Sequence, residues 1–156
     1  APHRVNRIIA ANTGARVGST ELWARRITDV QTQGLQALAS DSMTRWFTDQ
    51  FRTTHPAVVD RFRHMLGGGS ASGYVGCCSA LRDADLRDDI HRIDAPTLVI
   101  TGTADVATPP AVGELVNRRV PDAQLLSLEA AHLSNVEQPD RFTSGVRDFL
   151  QGANYG

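Results

Sequence analysis

The sequence predicts an α/β chain: short parallel strands, helices between them, and one long all-helical segment interrupting the series. Three observations carry that prediction. Thr97 to Thr101 is a β-branched apolar run entered by Pro96, the pattern of a strand buried on both faces. Gln124 to Leu128 repeats the pattern, and Val5 to Ala11 supplies a third run near the start. Between Thr20 and Ile90, by contrast, apolar residues fall at three- and four-residue spacings, the period of helices.

In chain order, the first strand ends at Asn12-Thr13-Gly14, which has turn chemistry. Thr20 is placed to cap a helix carrying Leu22, Trp23, Ile27 and Val30, and Gly34 interrupts it. Ser40 or Asp41 can cap a further helix that ends near Trp46. His55-Pro56 marks a boundary, since a residue before proline is pushed away from helix. Ala57 to Leu66 then reads as a helix closed by Gly67-Gly68-Gly69-Ser70, a flexible turn. Ser72 to Leu81 is a further helix, and Asp83 to Ile90 a short polar one. Pro109 and Pro110 open a helix over Val112 to Arg119, with proline in its first turn. The last helix, Pro139 to Leu150, places Phe142, Val146, Phe149 and Leu150 on one face, and the tail after it frays. The division expected is therefore 1–19 (strand and loop), 20–90 (helical insertion) and 91–156 (the remaining strands and helices). An insertion of that length between strands suits a cap over a site.

Composition narrows the function. A chain of 156 residues with formal charge −1 presents neither a nucleic-acid surface nor a membrane surface. No apolar run reaches membrane-spanning length, and no secretory leader opens the chain. Cys77 and Cys78 are adjacent, so they cannot staple distant segments; they fit small buried apolar positions in a reduced, cytoplasmic protein.

The chemistry sits at strand ends. Asp105 follows the Thr97 strand and His132 follows the Gln124 strand, 27 residues later. Open α/β sheets bind and react at the carboxyl ends of their strands. A carboxylate and an imidazole delivered there form the acid and base of a Ser-His-Asp relay. The matching nucleophile motif, G-x-S-x-G, is absent from these 156 residues. Gly67 to Gly73 (GGGSASG) comes nearest, but Ser70 and Ser72 lack the glycine spacing and no strand leads into them.

The segments RIIAANTGARVGSTELWARRI, RWFT, GYVGCCSALRDADLRDDI, APTLVITGTADVATPP and AAHLSNVEQPDRF together resemble the α/β-hydrolases, and within them the 3-oxoadipate enol-lactonase family. The resemblance implies an α/β-hydrolase partial core: the last three parallel strands with their helices, an inserted all-helical cap, and no amino-terminal part with its nucleophile elbow. It implies lactone hydrolysis by serine, aspartate and histidine without metal or organic cofactor, mapping the acid onto Asp105 and the base onto His132. It maps nothing onto the serine. The chain by itself is then expected to be inactive, with the Val5–Ala11 strand left as a free sheet edge that pairs with the missing half of the fold or with a second copy. A non-catalytic interaction module, an esterase or a haloperoxidase-like activity are the alternatives.

The small lactone substrate needs a pocket, and Trp23 and Trp46 in the helical segment either pack its core or line that pocket. Arg16, in the loop after the first strand, is the candidate to meet the substrate carboxylate. Asp83, Asp85, Asp88 and Asp89 alternate with Arg82 and Arg87, a solvated face rather than a metal site. His55, His64 and His91 have no partner pattern and read as surface residues.

Overall fold

The structure is a computed structural model that describes residues 2–152. The chain divides into two compact units, one built from residues 1–15 and 85–156 and the other from residues 16–84.

The first unit is organised on three parallel strands in the order β1-β2-β3: β1 (Ile8–Ala11), β2 (Thr97–Gly102) and β3 (Gln124–Leu128). Ile8 pairs with Thr97 and Ala11 with Ile100, while Leu98 pairs with Gln124 and Gly102 with Leu128. Every residue of β2 is buried. That explains its unbroken apolar character, because a central parallel strand has no solvent face to leave polar. β1 is shorter than its apolar run: Val5 is exposed, and strand geometry begins only at Ile8, where a partner on β2 becomes available.

Alternation along β2 feeds two cores. Val99 packs with Ala15, Ile90, Val116 and Val120 on the face covered by α5 (Pro110–Arg119). Leu98 and Ile100 pack with Leu128, Ala130 and Phe149 on the face covered by α7 (Pro139–Leu150). Burying a side chain such as Phe149 contributes roughly 1.5–3 kcal/mol. On α7 the buried stripe is Phe142, Val146 and Phe149, the i, i+4, i+7 positions; Leu150, one residue further round, is exposed instead of joining them. Gly113 lets α5 seat on the sheet, since a Cβ there would lie 2.6 Å from Thr101 Cγ2.

The second unit is helical: α1 (Thr20–Trp46), α2 (Asp49–Thr54), α3 (Pro56–Gly67) and α4 (Ala71–Asp83), with α1 packed on α3 and α4. Ser19, not Thr20, caps α1, its Oγ accepting from Leu22 N at 3.2 Å. α1 breaks at Gly34, where φ 77 and ψ 170 are open to glycine alone. No new helix starts at Ser40 or Asp41. Asp41 pairs with Arg45 one turn on, and the helix runs through both. Val30, Leu35, Ala39, Met43 and Phe47 form the buried stripe, and Phe47 stacks on Phe51 and meets Phe62 edge-on.

Two further expectations are corrected here. Asp83 to Ile90 is no helix: α4 takes Asp83 as its last residue, and a turn and a single 3-10 turn (Ile90–Arg92) follow. Asp83 pairs with Arg82 and Asp85 with Arg87, one and two residues away, spacings too close in sequence to stabilise an α-helix face. Leu86 N donates to Ala15 O and Ile90 joins the Val99 core, so residues 85–90 belong to the strand unit. The helical unit accordingly spans 16–84 rather than 20–90. Cys78 is buried, but Cys77, its neighbour on α4, is exposed.

Candidate functional site

Asp105 and His132 meet. β2 ends at Gly102 and delivers Asp105 three residues later; β3 ends at Leu128 and delivers His132 four residues later. His132 Nδ1 lies 2.9 Å from Asp105 Oδ2. The loop bearing His132 crosses directly over the end of β2, and Gly102 permits it. A Cβ at Gly102 would fall 2.4 Å from Ala131 O and 2.5 Å from Ala130 O, closer than any side chain tolerates. Gly102 is therefore part of what brings base to acid.

Both oxygens of the Asp105 carboxylate have partners. Asp105 Oδ1 accepts from the backbone N–H groups of Ala107 and Thr108, each at 2.8 Å. Asp105 Oδ2 accepts from His132 and from Asn12 Nδ2, the latter at 3.1 Å. Burial of the Asp105 side chain would raise its pKa, but the hydrogen bonds from His132, Thr108 and Asn12 outweigh that and hold the carboxyl below its ordinary value. The His132 side chain keeps 27% of its surface exposed while Asp105 keeps none. The ring thus has a shielded edge against the acid and, through Nε2, a second edge free to work on a reactant.

Asn12 and Ser134 were not legible as site residues. Asn12 follows β1, and its backbone takes the left-handed φ of 47 that asparagine tolerates at strand ends. Its Nδ2 also donates to Ala131 O at 3.3 Å, and its Oδ1 accepts from Ser134 Oγ at 2.5 Å. The strand-end rule that singles out Asp105 and His132 is the one signal that could have found Asn12, the polar residue after β1. Ser134 carries no sequence signal of its own; only the contact reveals it.

The remaining candidates belong to the helical unit. The Trp23 indole N–H donates to Val17 O at 2.6 Å and Arg26 lies over its ring, so Trp23 fastens the segment leading into α1. Trp46 lines an apolar groove of about 390 Å³ with Leu35, Met65, Leu66 and Tyr74; Trp23 is not among its walls. Arg16 is half-buried, and it is one of several influences lowering the Glu21 carboxyl pKa, behind the hydrogen bonds from the backbone and from Ser19. Ser70 caps α4 by accepting from Gly73 N and Ser72 lies beside it, an N-cap arrangement rather than a nucleophile elbow. Among the described residues no three His, Cys, Asp or Glu side chains gather to hold a metal, and no helix is long and apolar enough to cross a membrane.

No family model matches the sequence. Among individual proteins, two 3-oxoadipate enol-lactonases of Acinetobacter baylyi are similar. One is 41% identical over 153 residues, covering 98% of this chain and 57% of that protein. The other is 34% identical over 144 residues, covering 92% of this chain and 54% of that protein. Among solved structures, the enol-lactonase from Burkholderia xenovorans LB400 superposes with a TM-score of 0.93 at 38% identity, over 95% of this chain and 57% of that one. The chain thus spans just over half the length of the relatives it matches. With three parallel strands, flanking helices and a helical insertion, it has the fold of a partial α/β-hydrolase core, and it resembles the carboxyl-terminal part of the 3-oxoadipate enol-lactonases.

Proposed function

We propose that this chain supplies the acid, the base and the helical cap of an enol-lactone hydrolase, with 3-oxoadipate enol-lactone as substrate. The observation that carries the proposal is the 2.9 Å contact between His132 Nδ1 and a fully shielded Asp105. That contact sets the ring tautomer, leaving Nε2 as the proton acceptor. In the reaction a serine Oγ attacks the lactone carbonyl carbon as Nε2 takes its proton. Collapse breaks the bond to the ring oxygen, which leaves as an enol after receiving the proton from His132. Water, deprotonated by the same nitrogen, then cleaves the acyl-serine and restores the hydroxyl.

The serine and the oxyanion donors come from polypeptide outside these residues, and the free edge of β1 is where that polypeptide joins the sheet. Ile8 and Asn12 direct their N–H groups to β2. Ile9, which alternates with them and sits opposite Leu98, therefore turns its backbone N–H to the edge of β1 away from β2. Arg16, Trp23 and Trp46 are proposed to bind substrate, the arginine by taking its free carboxylate.

The test mixes the chain with the amino-terminal part of a relative such as the Acinetobacter enol-lactonase. Lactone hydrolysis absent from either piece alone, present in the mixture and lost with His132→Ala supports the reading. Turnover by this chain alone, or a mixture indifferent to His132→Ala, refutes it. A simple carboxylic ester assayed in parallel separates a lactonase from a general esterase.

A further inference from the structure

We propose that Asn12 is the positioning residue of the Asp105–His132 pair, with Ser134 fixing which way its amide faces. The inference rests on the reading of that pair as acid and base. The Asp105 carboxylate is held at one end by two backbone N–H groups on Oδ1, which leaves rotation about that end to be arrested at Oδ2. Two donors arrest it, His132 Nδ1 and Asn12 Nδ2. The second hydrogen of the Asn12 amide goes to Ala131 O, the carbonyl immediately before His132. One amide group therefore ties the acid to the backbone that carries the base, and does so from a third strand end.

Orientation is what makes this specific. Rotated by half a turn, the amide would present Oδ1 to the carboxylate and repel it. Ser134, fully buried at the start of α6 (Ser134–Glu137), prevents that by giving its hydroxyl proton to Oδ1. The other side of the Ala131 peptide is also tied, its N–H donating to Glu137. These part-buried hydrogen bonds hold one another in place, and where the groups are shielded the lower local dielectric strengthens them. The backbone at Asn12 adopts positive φ, which glycine takes more readily; the position keeps a side chain despite that cost.

Asn12→Gly removes the amide while relieving the backbone, so it tests the side chain and not the turn. In the 156-residue chain, proton NMR of 15N-histidine-labelled material is expected to show the His132 Nδ1–H as a sharp, slowly exchanging signal. In Asn12→Gly that signal broadens or disappears while the amide spectrum keeps its dispersion. Ser134→Ala, which frees the amide to turn, weakens the signal in the same direction and serves if Asn12→Gly fails to fold. An Nδ1–H signal unchanged in both variants overturns the proposal. In the complete protein, Asn12→Gly is expected to lower kcat about tenfold or more with KM within about twofold, as misplacement of a catalytic group does. Unchanged kcat per folded molecule also overturns it. If the complete protein hydrolyses no lactone, the functional reading fails, yet the NMR comparison still decides the role of Asn12.

Discussion

Replacing Gly102 by alanine tests the link between fold and site directly. The new Cβ would lie 2.4 Å from Ala131 O and 2.5 Å from Ala130 O. Both obstacles are backbone, so no rotamer change relieves them. Restoring an ordinary carbon–oxygen contact requires the ends of β2 and the His132 loop to separate by about 1 Å. Two consequences follow. Overpacking of this kind destabilises by roughly 1–3 kcal/mol, which for a chain of this size lowers Tm by roughly 2–12 °C. The same displacement also takes His132 Nδ1, now 2.9 Å from Asp105, out of hydrogen-bonding range. The assay pairs a thermal melt with the His132 ring-proton signal, with Gly113→Ala as control. There the clash is with a Thr101 methyl under α5, away from the pair. Gly113→Ala should lower Tm and leave the His132 signal in place, whereas Gly102→Ala should change both. A Gly102→Ala chain with Tm within about 1 °C of the original and an intact His132 signal would refute the reasoning.

Other outcomes follow from the same structure. Gly34→Ala should destabilise by about 1–3 kcal/mol, because φ 77 with ψ 170 excludes a Cβ even where space is open. Gly76→Ala, inside α4 with nothing near its Cβ, should instead stabilise by about 0.5–1 kcal/mol; urea melts of both variants check the opposite signs. The Asp105 carboxyl is held below its ordinary value of 3.8, so its ionisation stabilises the fold above that pH and the contribution is lost as pH falls through the lowered value. Asp105→Asn is accordingly less stable near neutrality, and melts from pH 6 downward should show the gap narrowing only in the acid range; a constant gap would count against it. The chain on its own should self-associate through the β1 edge, and a monomer in sedimentation at micromolar concentration would contradict that.

Much of this was legible from residue order. The β-branched run at Thr97, the proline before it and the acid after it specify a buried parallel strand with a carboxylate at its end, because a strand buried on both faces admits no polar alternation. The second run and His132 repeat the placement but not the burial: β3 is part-buried, with Ser127 exposed and Leu128 alone fully buried, because it pairs only with β2 and lies at the edge of this sheet. Helical periods at Ala57–Leu66 and Pro139–Leu150 were equally plain, since a helix that packs one face must repeat its apolar residues every three or four positions. Boundaries were less legible. Ser19 rather than Thr20 caps α1, and Asp41 turned to Arg45, because several residues in each stretch can take the same local role and small energy differences choose among them.

By itself, then, the sequence determined the strand-end placement of an acid and a base and the helical nature of the stretch between β1 and β2. These are local matters of period, turn chemistry and burial. Only the tertiary structure decided that Asp105 and His132 touch, that Gly102 must stay bare for them to do so, and that Asn12 and Ser134 complete the network. The physical reason is that a contact spanning 93 or 122 residues leaves no trace in local pattern. It exists because three parallel strands end side by side, and their register, fixed by pairing along the whole sheet, carries those ends to one place.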